Sequence, residues 1–212
     1  AYSVAPIAAM IAPLFLGIVA DRFFASERVL GVLMLIGALL IGAAPTFATG
    51  ESKSATLFLL CLLGHTLCFM PTLGLTNTIA FANMTNRERQ FPLIRVFGTL
   101  GWIAAGTFVS KVLNADYDAT PFYVAAAASA ALGVYAFTLP HTPPPGRGTK
   151  PSLGQLVGLD AVKMMRDPSF AAFIVSSLLI CIPLAAYYAK AQTYVGDAGF
   201  AEPAFIMTFG QW

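Results

Sequence analysis

Apolar residues run along this chain in long stretches that no charge interrupts. Residues 1–20, 29–50, 54–86, 119–146 and 168–189 contain no Asp, Glu, Lys or Arg. A hydrocarbon core of ~30 Å takes about 20 apolar residues in a helix, and each stretch reaches that length. The pattern predicts six full membrane spans and the start of a seventh, over roughly 2–20, 29–48, 55–82, 92–112, 120–139, 169–190 and from 203 onward. Backbone polar groups find no water in lipid, so the spans are helices; the period-two alternation of a barrel strand is absent. Small residues at four-residue spacing suit close helix packing: Ala38 with Gly42, Gly101 with Ala105, Ala126 with Ala130, Ser129 with Gly133.

Composition points the same way. The 212 residues are 58% hydrophobic and 10% charged, with mean hydropathy +0.75, where a soluble domain carries about 25% charged residues. A net charge of +2 is too small to suggest a nucleic-acid partner. Cys61, Cys68 and Cys181 all fall inside apolar runs and read as small packing residues, not as a disulfide frame or metal set. No metal, cofactor or enzyme constellation is present: there is no HExxH, no P-loop, no pair of carboxylates within a span and no Ser–His–Asp set at plausible depth. Both ends fall inside apolar runs, so the chain reads as an internal piece of a longer membrane protein.

Orientation follows from the cations. One set of connections holds Arg22, Arg28, Arg87, Arg89, Arg147, Lys150, Lys163 and Arg166; the alternate set holds only Lys53, Lys111 and Lys190. The positive-inside bias makes the first set cytoplasmic. The longest connection, from Leu139 to Pro168, opens Pro-rich and then spaces Leu153, Leu156, Val157, Leu159 and Met164 as a short interfacial helix would, beside Lys163 and Arg166, with a plain basic linker as the alternative. The expected organisation is a helical bundle over 1–139, a cytoplasmic loop over 140–168 and the start of a second bundle over 169–212.

A few polar residues break the apolar spans. Arg95 lies three residues after Pro92, roughly 5 Å into the helix if the proline occupies the first turn. At that depth its side chain can snorkel to headgroups, or it can face a polar cavity. Thr99, Trp102 and Gly106 follow at i+4, i+7 and i+11, on one stripe. Trp102 sits near mid-bilayer, away from the interface that tryptophan favours; either a cavity or a neighbouring helix would house it. In the third expected span His65, Thr72 and Thr76 share one stripe, and Thr66 and Asn77 another. Threonines in such helices often bond back to their own backbone, and His65 reads more readily as a structural hydrogen-bond partner than as a proton carrier. All ten acidic residues fall in loops or at helix ends.

"LGIVADRFF" carries Gly17, Asp21 and Arg22 in the pattern G-x-x-x-D-R, which resembles the loop motif of the major facilitator superfamily. "FMPTLGLTNTIAF" and "FPLIRVFGTLGW" closely resemble the fourth and fifth helices of bacterial nucleoside permeases, the nucleoside:proton symporter family. "TLPHTP" and "LVGLDA" are similar to that family at matching places. The resemblance runs from about Pro6 to Phe173. It implies an all-α, twelve-helix transporter of the bacterial inner membrane, lacking here its first helix and most of its second half. It implies nucleoside and proton as partners beside the lipid bilayer, and no cofactor. By the resemblance Arg95 and Thr99 would contact the nucleoside in a central cavity, with an aromatic where Trp102 stands; Asn77 and Tyr188, polar groups within their spans, are the further candidate lining residues. Asp21 and Arg22 would act in a cytoplasmic gate. The mid-helix amides of the nucleoside permeases are not matched in the sixth span, where Pro183, Tyr187 and Tyr188 stand instead. Transport of a sugar or other small polar solute is the alternative, and a non-transport membrane protein a more distant one.

Overall fold

The computed structural model describes residues 6–9, 12, 23–49, 53–144 and 163–211, and every regular element among them is helical. We number the helices α1 (Ser26–Ala48), α2 (Ala55–Asn83), α3 (Arg87–Thr107), α4 (Thr120–Ala136), α5 (Pro168–Asp197) and α6 (Pro203–Thr208). A π-helical turn, Phe108–Val112, continues α3, and a 3-10 turn, Phe209–Gln211, follows α6. Among the described residues α1, α2, α5 and the stretch Arg87–Val112 are long and apolar enough to cross a membrane; α4, with 17 residues, is a shorter apolar helix. The span expected over 2–20 lies almost wholly outside the described residues. So do Asp21, Arg22 and the expected interfacial segment before Lys163.

Local caps explain where the helices start. Ser54 accepts the Leu57 N–H at 3.3 Å, and Asp167 accepts the Ser169 N–H at 2.8 Å with Pro168 as first helical residue. Before α3, Asn86 Oδ1 accepts the Arg89 N–H at 3.1 Å, and Gln90 Oε1 accepts the N–H groups of Thr85 and Asn86, each at 3.0 Å. These polar caps start α3 at Arg87, so Pro92 lies inside the helix and not in its first turn. The proline marks where the apolar part begins; the side chains of "NRERQ" set where the helix begins.

The chain divides into two compact units, Ala1–Gly98 with Tyr117–Thr149, and Thr99–Asp116 with Lys150–Trp212. In the first, α1 packs along both α2 and α4, around Leu30, Leu33, Met34, Leu75, Ile79 and Ala136. Glycine makes the α1–α4 crossing possible. A Cβ on Gly31 would lie 2.7 Å from Phe137 Cζ and 3.0 Å from the Gly133 carbonyl oxygen; one on Gly133 would lie 2.8 Å from Leu35 Cγ. Gly42 faces the Ala126 methyl in the same seam. Gly133 and Ala126 therefore serve the close packing their spacing predicts, whereas Gly101 faces open space. Between α1 and α2, His65 Nδ1 lies 2.9 Å from the Gly37 carbonyl and the ring stacks on Phe69, the structural bond expected of it.

In the second unit α6 packs against α5 and against the π turn that ends α3. No residue of α3 or α5 is buried.

Candidate functional site

The expected site residues divide between the two units. In the first, Asn77 is half-buried on α2 and Arg95 is exposed on α3. Phe81 and Phe91 stack with centroids 4.7 Å apart, and the Arg87 guanidinium lies 5.6 Å from the Phe81 centroid. Asn77 precedes Phe81 by four residues and Arg95 follows Phe91 by four, so each lies one turn further into its helix on the face that carries the stacked ring. Apart from that ring pair α2 and α3 share little packing. Neither the Arg95 guanidinium nor the Asn77 amide has a hydrogen-bond or ionic partner among the described residues.

In the second unit Thr99 is half-buried and Trp102 is 47% exposed. Trp102 meets Tyr188 of α5 edge-on, with centroids 6.3 Å apart and planes at 61°. Tyr187 packs edge-on against Tyr188 in turn, at 5.5 Å. The structure thus brings together the two aromatic residues singled out from separate spans, and adds Tyr187. Two rings meeting edge-on leave a free face open to stacking by a planar partner.

Hydroxyl bonding separates the threonines. On α2, Thr66, Thr72, Thr76 and Thr78 each donate to a carbonyl three or four residues back, at 2.6–3.2 Å. Their polar groups are spent on their own helix. Thr99 makes no such bond among the described residues. In the second unit α3 therefore offers an unspent hydroxyl at Thr99 and an indole at Trp102; in the first it offers the Arg95 guanidinium with five donors.

A second polar cluster escaped the sequence. Glu27, in the first turn of α1, has only 5% of its side chain exposed. Its Oε2 accepts the Thr142 N–H at 3.0 Å, and Oε1 lies 2.9 Å from Nδ1 of His141, whose side chain is 67% exposed. The Ser26 N–H donates to the Thr142 carbonyl at 3.0 Å, and Asn83 donates to the Thr142 hydroxyl at 3.2 Å. "ASER" and "TLPHTP" are thus parts of one clamp that ties the segment after α4 to the ends of α1 and α2.

The comparisons with known proteins bear on this arrangement. The family model described as Nucleoside H+ symporter matches residues 1–212. YegT of Escherichia coli (strain K12) is 44% identical over 217 residues, covering 100% of this chain and 50% of YegT. The nucleoside permease NupG of the same organism is 35% identical over 183 residues, covering 84% of this chain and 42% of NupG. Its xanthosine permease is 32% identical with the same coverage. A crystal structure of a mutant of the nucleoside transporter NupG superposes with TM-score 0.82 at 30% identity, covering 99% of this chain and 54% of that one. The chain spans about half the length of the curated relatives it matches. Long apolar helices in this arrangement define an integral membrane protein with the fold of a major facilitator transporter. Within that class, the chain belongs to the nucleoside:H+ symporter family.

Proposed function

We propose that the full-length protein imports nucleosides across a bacterial inner membrane, coupled to protons, by alternating access between two helical bundles. The single observation that carries this reading is the Trp102–Tyr188 ring pair, with the Thr99 hydroxyl, not bonded back among the described residues, three positions before the indole. Arg95, four positions before Thr99 in the sequence, brings a guanidinium with no acidic partner among the described residues. Arginine can direct several hydrogen bonds to ribose or base oxygens, and an aromatic ring can stack on the base. Asn77 adds an amide from α2. Asp21 and Arg22 act at the cytoplasmic gate. The first bundle extends to residue 139 and the second begins at 169, joined by the cytoplasmic connection.

The test is uptake of labelled uridine and adenosine by cells that lack their own nucleoside uptake and express the full-length protein. Accumulation competed by unlabelled nucleosides and not by sugars is expected. Competition by sugars alone would favour the alternative solute class, which shares every feature except base stacking. No solute flux in reconstituted vesicles would overturn transport altogether.

A further inference from the structure

The end of α3 and the start of α6 make a polar contact that the substrate site does not use. Ser110, in the π turn, is 1% exposed; its hydroxyl donates to Asp116 Oδ2 and accepts the Phe205 N–H at 3.2 Å. Asp116 Oδ1 accepts the Ala204 N–H at 3.0 Å. The residue before α6, Glu202, gives that helix no side-chain cap of its own. Its first free N–H groups are therefore satisfied by residues about 90 positions earlier in the chain, where a cap normally comes from an adjacent residue. Lys111 pairs with Glu202 and sits 4.6 Å over the Phe205 ring. At Gly106 an added Cβ would lie 2.7 Å from Thr208 Cγ2 and 3.1 Å from the Ala204 carbonyl oxygen, so glycine lets the helices approach.

Topology places this contact. α3 begins beside the cytoplasmic arginines Arg87 and Arg89 and ends at Lys111; α5 begins after Arg166 and ends near Lys190. By the positive-inside pattern, the end of α3 and the start of α6 both lie at the extracytoplasmic face. They also come from opposite sides of the long cytoplasmic connection. Their union is slight: two hydrogen bonds that cross, from Ala204 N–H to Asp116 and from Phe205 N–H to Ser110, and an ion pair whose side chains are 42% and 33% exposed. Exposed ion pairs hold weakly. A joint made from such parts can open without unfolding either helix.

Resting on the transport reading above, we infer that Ser110, Lys111 and Asp116 form, with Glu202 and the first turn of α6, a latch that closes the extracytoplasmic side and opens once per transport cycle.

The test uses the full-length transporter with all native cysteines replaced by alanine. In Lys111→Cys/Glu202→Cys, a short bis-methanethiosulfonate should bridge the pair through two disulfides, releasing methanesulfinate, and stop uptake, and reduction should restore it; either single variant should transport normally after the same treatment. Uptake at the unbridged rate by a bridged protein, or failure of the pair to bridge, would overturn the latch. Thr208→Cys, which is buried against Gly106, reads the same contact without any substrate. In intact cells an impermeant maleimide should label it slowly. Adding Asp116→Ala should raise the labelling rate about tenfold or more, the population change expected when a hydrogen bond to a charged group is lost. An unchanged labelling rate would also overturn the latch. Loss of nucleoside uptake in the unbridged parent would count against the transport reading alone, because labelling still reports on the joint.

Discussion

An arginine that only anchors a helix at the headgroups can be exchanged for lysine, since a long stem and a positive charge are all that snorkelling needs. An arginine that grips a ligand cannot, because lysine lacks the planar fork of donors. Arg95→Ala should lower nucleoside uptake by on the order of 10- to 100-fold, the loss of one or two hydrogen bonds to a charged group, with membrane expression unchanged. Arg95→Lys should recover little of it. Labelled-uridine uptake normalised to protein in the membrane checks both, and full activity of the lysine variant would return Arg95 to the anchor role. Arg95, Thr99 and Trp102 stand out as candidates because helical spacing aligns them on one stripe of the sequence. Glu27 does not. Its burial comes from His141 and Thr142, more than 100 positions away, and no local pattern marks that meeting. In sequence it looks like one more charge at a helix end.

At the level of elements, the apolar runs located the helices, while their ends follow hydrogen bonds that hydropathy does not see. α3 starts five residues before Pro92 because Asn86 caps the Arg89 N–H while Gln90 reaches back to the N–H groups of Thr85 and Asn86. α5 continues to Asp197, past the end of its apolar run, because no proline interrupts that segment and its glycine, Gly196, comes only at the last turn. Small-residue spacing found Gly133 and Ala126 but missed that Gly31 is the partner surface, which depends on how α1 and α4 cross. Gly31→Ala should cost ~1–3 kcal/mol through overpacking against Phe137 and the Gly133 backbone, read as a lower thermal midpoint of the purified full-length protein in detergent. Glu27→Ala should cost about 1–3 kcal/mol by leaving the buried Thr142 N–H without its acceptor. Glu27→Gln should cost less, since the amide oxygen can still accept that bond. The same melting measurement ranks the three variants.

For the molecule as a whole, class was legible from the charge-free runs and family from the extended segments around Pro71 and Arg95. The coupling group was not, because no acidic residue lies in mid-span. If uptake is driven by protons, collapsing the proton gradient with a protonophore should reduce accumulation in cells expressing the full-length protein to simple equilibration. Exchange of internal for external nucleoside should persist. Continued accumulation would argue for another driving ion. The Gly31–Gly133 crossing adds a mechanical condition. The two backbones approach closely there, with the Phe137 and Leu35 side chains wedged against the glycines, so neither helix can slide past the other without a clash. α1 and α4 should therefore travel as a welded pair, and whatever bending the cycle demands falls to helices joined less tightly.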